Sequence, residues 1–195
     1  MTNEELNEAR KNPDFLKYLE EARLNSIKSK NIELMYETLD SMLVLDLDEE
    51  KINSLYDEIL KLAFLSVEKL LNKNEKLDLS EPNIFYIRAL YEHAIEKWTN
   101  ENFAGAKELL FVIANIIEDY TLKNSIDCMI VFLNKELNFD EFYDGFVDIE
   151  AINDDEKYGY FLTNFNFEIA SFLKENQNIL EEEYKKLQHL IMERK

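Results

Sequence analysis

Residues that make tight turns are scarce in this chain. Its 195 residues include three glycines and two prolines, whereas the two types together make up about 12% of an average protein. Hairpin turns depend on such residues, so an all-β fold is hard to build from this sequence. Because 46% of the residues are apolar, the chain has enough hydrophobic side chains to bury a core. The composition therefore predicts an almost wholly helical, folded protein.

Cysteine and histidine are also too rare for the common metal sites. Cys128 is the only cysteine, and its apolar sequence neighbours predict a buried side chain rather than a nucleophile. A single cysteine excludes an internal disulfide and a thiolate metal cluster. His93 and His189 lie far apart in sequence and outside the HExxH and ExxH spacings of helical metal sites. We expect no zinc or di-iron centre.

Motifs for other cofactors or for catalysis are missing or incomplete. Residues 140–151 partly match a calcium-binding loop, but Phe142 and Ala151 stand where oxygen ligands are required. The sequence has no nucleophile elbow and no glycine-rich phosphate loop. With 41 acidic residues, carboxylate pairs are too abundant to identify an acid and a base. The sequence predicts a protein without a cofactor and without catalytic activity.

The charge of the chain is strongly negative. The formal net charge is −19, from 41 acidic and 22 basic residues. Binding to a phosphate backbone needs clustered Lys and Arg, so nucleic acid is not an expected partner. A basic or amphipathic segment of another protein is the expected partner, and a solvated surface that only aids solubility is the alternative. The first residues lack a secretory signal and no apolar run reaches about 18 residues, so we expect a cytoplasmic protein without membrane contact.

Apolar side chains recur at helical spacing along the first 75 residues. Three helices are predicted there: from Pro13 with Asn12 as its cap, from Asn31 to Leu45, and from Asp48 to about Asn72. The polar stretch from Asn72 to Pro82 is typical of a linker, and Ser80 is the predicted cap of the next helix. We expect an N-terminal helical subdomain at 1–75 and a second domain at 80–195, or one continuous domain. The sequence leaves open whether the first subdomain forms a homodimer.

Residues 80–120 have the pattern of two helices joined by a short turn at Thr99–Asn102. Small and aromatic residues lie near this turn: Ala94, Phe103, Ala106 and Leu110. In these residues the segment resembles a tetratricopeptide repeat, a helix–turn–helix unit of about 34 residues. Four positions depart from the Trp, Leu, Tyr and Pro that the family has there: Leu90, His93, Lys97 and Glu118.

Two later hairpins extend the pattern. The second pairs a helix around residues 126–137 with one that carries Phe139, Phe142, Phe146 and Ile149. The third pairs Lys157–Leu173 with Ile179–Met192. The predicted fold is therefore all-α. It consists of stacked antiparallel helical hairpins that resemble a tetratricopeptide-repeat array over residues 80–192 at most, after an N-terminal helical subdomain.

The resemblance implies that the first helix of each hairpin lines a groove that holds an extended or helical peptide. The implied groove residues are Arg88, Tyr91, Ile95 and Trp98 on the first hairpin, and Asn124, Asp127, Val131 and Asn134 on the second. For Tyr91 and Trp98, a place in the hydrophobic core is the alternative. In size, acidity and the helices that precede the hairpins, the chain is similar to bacterial chaperones of secreted translocator proteins, which bind an unfolded partner segment.

An acidic face is the second candidate. Residues 139–156 contain no Lys or Arg and eight acids: Asp140, Glu141, Asp144, Asp148, Glu150, Asp154, Asp155 and Glu156. On one helix, Asp140, Asp144 and Asp148 would form a single carboxylate stripe. We expect a non-catalytic protein-binding module, a small acidic chaperone or adaptor. The alternative is an acidic inhibitor, an immunity-type protein or a nucleic-acid mimic that blocks a basic surface through its carboxylates.

Overall fold

The computed structural model describes residues 3–73, 75–151 and 155–192. Within these ranges the chain forms ten α-helices and two short 3₁₀ helices, and no β-strand longer than an isolated bridge. The predicted all-α fold is confirmed. The chain divides into two compact units, residues 1–65 and residues 66–195. The dividing point lies inside one long helix, earlier in the chain than the polar linker that the sequence suggests.

The first unit is built from the amino-terminal helices. They are α1 (Asn3–Lys11), α2 (Pro13–Ser29), α3 (Ile32–Val44) and the first part of α4 (Glu49–Lys73). The Asn12 side chain accepts hydrogen bonds from the backbone amides of Asp14 and Phe15, and the Asp48 carboxylate accepts one from the amide of Lys51. The predicted starts of α2 and α4 are therefore confirmed. Each of these caps satisfies amides that have no partner inside the helix.

The second unit contains the remaining helices. They are the end of α4, α5 (Asn83–Thr99), α6 (Phe103–Ile116), α7 (Tyr120–Asn134), α8 (Phe139–Phe146), α9 (Ile169–Glu175) and α10 (Gln177–Leu187). Helix α6 packs between α5 and α7, its neighbours in sequence. The turn from α5 to α6 is short, because α5 ends at Thr99 and α6 begins at Phe103. A Cβ atom at Gly105 would lie 2.9 Å from the side-chain amide nitrogen of Asn102. The predicted turn at Thr99–Asn102 is confirmed.

The scarcity of glycine has a visible consequence at the helix ends. Four turn residues adopt positive φ angles of 50–58° without being glycine: Lys30, Asp46, Glu101 and Glu136. They follow α2, α3, α5 and α7. This backbone region costs an L-residue roughly 1–2 kcal/mol. Short helical connections are therefore made here at some energetic cost, which packing of the helices offsets.

The predicted cap at Ser80 is wrong. The residue that precedes α5 is Pro82, and no side chain caps the helix. The Ser80 hydroxyl instead donates to the Asp78 carboxylate at 2.6 Å. The predicted linker is also not free chain, because Leu77 is buried and its carbonyl accepts from the Glu118 amide at 2.9 Å. This pairing fixes the segment before α5 within the second unit.

The third predicted hairpin is largely wrong. Of Lys157–Leu173, only the 3₁₀ helix Glu156–Tyr158 and the start of α9 are helical, and α10 ends at Leu187 rather than Met192. The backbone around Phe165 instead pairs with the end of α8, where the Asn166 amide donates to the Phe146 carbonyl at 3.0 Å. Burial of aromatic side chains between residues 161 and 167 competes with helix formation, and such tertiary packing overrides local helical spacing.

Candidate functional site

The α5 residues of the implied groove face the chain itself rather than an open surface. Trp98 is fully buried, Tyr91 is 3% exposed and Arg88 is 7% exposed. Ile95 is half-buried. Tyr91 and Trp98 therefore occupy the hydrophobic core, which is the alternative to a place in the groove. The side chains that cover Tyr91 and Trp98 come from α8 and from residues 156–187. We call residues 156–187 the C-terminal cover.

Trp98 belongs to a group of eight aromatic side chains, which we call the aromatic cluster. Its members are Trp98, Phe132, Phe139, Phe142, Phe146, Phe165, Phe167 and Phe172. The Trp98 ring stacks on Phe142 with centroids 4.6 Å apart, and its indole nitrogen donates to the Leu137 carbonyl at 2.8 Å. Since the ring is enclosed and its one donor is paired, Trp98 is an anchor of the fold.

Tyr91 and Arg88 contact the first part of the C-terminal cover. The Tyr91 hydroxyl accepts a hydrogen bond from the Leu162 amide at 3.1 Å, and its ring lies edge-on to Phe161 at 5.2 Å. The guanidinium of Arg88 lies 4.3 Å from the centre of the Tyr160 ring. Burial raises the pKa of Tyr91, so its hydroxyl remains protonated at any ordinary pH.

The α7 residues of the implied groove divide into exposed and covered positions. Asn124 is exposed, Val131 is buried, Asp127 is 5% exposed and Asn134 is half-buried. The Asp127 carboxylate accepts from the Tyr184 hydroxyl at 2.6 Å and from the Lys123 ammonium at 2.9 Å. Helix α10, the last helix of the C-terminal cover, therefore contacts part of the face that the sequence assigns to a partner peptide.

Glu183 is the central contact of α10. Its carboxylate is 3% exposed and accepts hydrogen bonds from Lys107 at 3.0 Å, from Asn134 at 2.8 Å and from Lys186 at 2.6 Å. Burial alone would raise the pKa of Glu183, but the two ammonium groups outweigh burial and hold its pKa below the ordinary value. The ionised carboxylate is thus the form that the site stabilises.

The neighbouring residue, Tyr184, completes the contact. Its ring lies edge-on to Phe111 with centroids 5.0 Å apart, and its hydroxyl accepts from Lys123 at 2.8 Å while donating to Asp127. Sequence reasoning missed both Glu183 and Tyr184. The signal was present, because Glu183 stands between Ile179 and Leu187 on the apolar stripe of α10, at four-residue spacing.

A second polar contact fastens the start of the C-terminal cover. The Tyr158 hydroxyl donates to the Asp119 carboxylate at 3.0 Å, and the Lys157 ammonium lies 3.2 Å from the same group. Asp119 also accepts from the Leu122 amide and caps α7. Burial opposes the ionised form of Asp119, but these donors prevail and lower its pKa.

The acidic face is exposed but is not one continuous stripe. Asp140, Asp144 and Asp148 are all exposed. Helix α8 ends at Phe146, so only Asp140 and Asp144 share a helix face. Asp148 instead accepts from the backbone amides of the two residues at 150 and 151. Among the residues that the structure describes, none of the three carboxylates forms an ion pair. Asp154 lies outside the described residues.

The first unit has an open groove between α2 and α3, which the sequence did not indicate. Its volume is about 790 Å³. The lining includes apolar, polar and charged residues: Tyr18, Leu19, Glu21, Ala22, Asn25, Ser26, Lys28, Ser29, Leu34, Glu37, Thr38 and Ser41. The hydroxyl groups of Ser26, Thr38 and Ser41 donate to carbonyl oxygens of their own helices. These three hydroxyl groups are therefore already committed to the backbone and do not donate to a ligand.

The remaining chemistry of the described chain is limited. Burial, together with the neighbouring Asp127 carboxylate, raises the pKa of the Cys128 thiol to about 12, so this thiol is not a nucleophile at neutral pH. Within residues 3–73, 75–151 and 155–192, no three His, Cys, Asp or Glu side chains are grouped to hold a metal ion. None of the described helices is both long and apolar enough to cross a bilayer.

Comparison with known proteins does not assign the chain to a family. No family model, no curated protein and no solved structure matches it.

Proposed function

We propose that this protein is a non-catalytic protein-binding module of the adaptor or chaperone type. Its second unit contains a helical hairpin similar to a tetratricopeptide repeat, in which α5 pairs with α6, and α6 packs in turn against α7. One observation carries the proposal. The face formed by α5, α6 and α7 holds a peptide segment, the chain's own C-terminal cover, through directional contacts at Arg88, Tyr91 and Asp127.

The character of these contacts supports binding rather than catalysis. Several polar side chains on the face are paired with one another or with the C-terminal cover. Asp127 pairs with Lys123, and Glu183 pairs with Lys107. Protein interfaces use aromatic and charged side chains of this kind, placed around well-packed centres. The expected partner segment is amphipathic.

The exposed carboxylates favour a second candidate function. Asp140, Asp144 and Asp148 lie on the surface beside the exposed apolar side chains of Tyr143 and Ile149. A basic surface on another protein would neutralise the acids and cover the apolar atoms. In this candidate the protein is an acidic inhibitor or mimic that blocks a basic surface.

Two sets of variants separate the candidates. Partners are first identified by crosslinking, and one purified partner is then titrated by calorimetry. One variant replaces Asp140, Asp144 and Asp148 with Asn, and the other replaces Lys107 with Met. Tyr91 and Trp98 are unsuitable because they are buried, and truncation of either is expected to disturb the fold. Circular dichroism and the fluorescence of Trp98, the only tryptophan, verify that each variant is folded.

The outcomes are distinct. A change in affinity with Lys107→Met alone supports the face formed by α5, α6 and α7. Loss of affinity with the three Asn substitutions, together with a strong dependence on salt, supports the acidic face. If both variants bind like the parent protein, both placements are wrong. If no purified partner binds saturably, the proposed function is wrong.

A further inference from the structure

Helix α10 is held differently from the rest of the second unit. It follows α9 after a single residue, Asn176, and only two of its side chains, Glu183 and Leu187, are buried. Its best-defined contacts are polar. They are made to four residues of α6 and α7: Lys107, Lys123, Asp127 and Asn134. We call these four residues, together with Phe111, the α10 face.

Release of α10 would expose a surface that water can solvate. Ammonium, carboxylate and amide groups that lose their partners in α10 regain hydrogen bonds from solvent, so much of their interaction energy is recovered. Trp98 and the phenylalanines of the aromatic cluster have no such compensation, because exposure of apolar area is costly. The polar composition of the α10 face therefore makes release of α10 less costly than release of a helix held by the aromatic cluster.

We propose that α10 is a releasable cover, and that the α10 face binds a partner helix which carries a carboxylate and a phenol on adjacent residues. This inference rests on the proposed function. The partner's carboxylate takes the place of Glu183 between Lys107 and Asn134. The partner's phenol takes the place of Tyr184 between Lys123 and Asp127. The partner is thus an amphipathic helix with an acid–tyrosine pair, and α10 competes with it.

Charge complementarity defines the partner. In a chain with a net charge of −19, Lys107 and Lys123 are two basic groups on one face, and each donates to a side chain of α10. A helix without the carboxylate leaves the Lys107 ammonium and the Asn134 amide without an acceptor. A helix without the phenol leaves Asp127 with one donor fewer. Unpaired buried groups of this kind penalise the wrong ligand.

Covalent connection makes α10 a strong competitor. A tethered segment acts at an effective concentration of the order of millimolar. A free helix of the same sequence binds only the fraction of molecules in which α10 has left the face, so its apparent affinity falls by that fraction. Weakening the contacts of α10 within the chain should therefore increase the affinity for a free helix, provided that the face itself is unchanged.

A labelled peptide with the sequence of residues 176–190 tests this competition. Its binding to the full chain is followed by fluorescence anisotropy, with the parent protein and with the Glu183→Gln variant. The substitution removes the charge of Glu183 but leaves the α10 face intact, and the peptide supplies the missing carboxylate. We expect at least about tenfold tighter binding to the variant than to the parent protein. A Glu183→Gln, Lys107→Met double variant should lose this gain.

Matched peptides test the chemistry of the partner. A peptide with both the carboxylate and the phenol removed, Glu183→Gln and Tyr184→Phe, should bind the Glu183→Gln protein about tenfold more weakly than the native peptide. A peptide with Glu182→Gln is the control, because Glu182 is exposed next to Glu183. Equal affinity of parent and variant protein for the native peptide would overturn the inference. So would equal affinity of native and doubly substituted peptides.

Four further outcomes determine how the test is interpreted. If the Glu183→Gln protein forms dimers that the peptide does not dissociate, α10 of a second copy occupies the face and the proposed partner is wrong. If the variant loses the Trp98 fluorescence of the parent protein, the milder Tyr184→Phe protein replaces it, and a gain in peptide binding is again required. A partner that binds while the peptide does not leaves the proposed function standing and refutes release of α10. A peptide that binds when no partner is found supports release of α10 and refutes the proposed function.

Discussion

The aromatic cluster and the contact of α10 show two ways to hold a helix in the same unit. The aromatic cluster joins α5, α7, α8 and α9 through stacked and tilted rings, with one buried donor satisfied by a backbone carbonyl. The contact of α10 depends on the ionised Glu183 and on hydrogen bonds from Lys107 and Asn134. Apolar burial depends little on pH, whereas charged contacts are lost when the carboxylate is protonated. The first region fixes the fold, and the second suits a segment that exchanges.

Truncation in the aromatic cluster should have the largest effect. We expect Trp98→Ala to lower the free energy of unfolding by about 3–5 kcal/mol, because it removes a fully buried ring and leaves a cavity between Phe139 and Phe142. Urea unfolding followed by circular dichroism measures the change. Tyr120→Ala is the control, since Tyr120 is 79% exposed, with an expected change in the free energy of unfolding within about 0.5 kcal/mol. A loss below about 1 kcal/mol for Trp98→Ala would show that the cluster is not the anchor.

Substitution at the contact of α10 should have a smaller and more local effect. We expect Glu183→Gln to destabilise the packing of α10 by about 1.5–3 kcal/mol, the usual contribution of hydrogen bonds to a charged group. Hydrogen exchange should accelerate at the amides of α10, while the amides of α5 remain as protected as in the parent protein. Glu182→Gln is the matched control, since this neighbour is exposed. Equal acceleration in α5 and α10 would mean that the two regions unfold together.

Acid should separate the two regions in the same way. The pKa of Glu183 is lower in the folded protein than its unfolded value of about 4.3, so the stabilisation from its ionised form is present above that unfolded value. This stabilisation is lost as the pH falls through the lower, folded pKa. The groups that face the carboxylate are Lys107 of α6, Asn134 of α7 and Lys186 of α10.

We therefore expect the protection of the α10 amides from hydrogen exchange, relative to the intrinsic exchange rate at each pH, to fall below about pH 4.3, at pH values where Trp98 fluorescence is still that of the folded protein. In the Glu183→Gln variant this acid-dependent step should be reduced, because the group that titrates is gone. An identical pH profile in the parent protein and the variant would assign the step to other carboxylates, such as Asp119, whose pKa is also lowered.

The limits of sequence reasoning follow the same division. The all-α fold and the caps at Asn12 and Asp48 were predictable because they depend on composition and on residues within one turn. The role of Trp98 was not settled by the sequence, since helical spacing gives the face of a residue but not the segment that covers it. The missing third hairpin has the same cause. Phe161 packs against Tyr91, and Phe165 packs against Phe142. Helical spacing does not reveal such contacts, because the partners are remote in sequence.

The acidic face should contribute least to stability. Substitution of its two helical carboxylates, Asp140 and Asp144, should change the free energy of unfolding by different amounts. Asp140 lies in the first turn of α8, where the positive end of the helix dipole favours a negative charge, and Asp144 lies near the other end. Like charges four residues apart also repel. We expect Asp144→Asn to stabilise the protein by about 0.2–0.5 kcal/mol at low salt, and Asp140→Asn to be neutral or slightly destabilising.

Urea unfolding of both variants at low and at high salt measures this difference. Screening should remove the gain from Asp144→Asn at about 1 M salt, where the Debye length falls to about 3 Å. If Asp140→Asn stabilised the protein as much as Asp144→Asn, both effects would come from general repulsion in the acidic chain. The helix dipole would then explain neither effect. A gain confined to Asp144 would instead mean that this carboxylate is retained at a cost to stability. That result would favour the second candidate function, in which a basic partner surface neutralises this carboxylate.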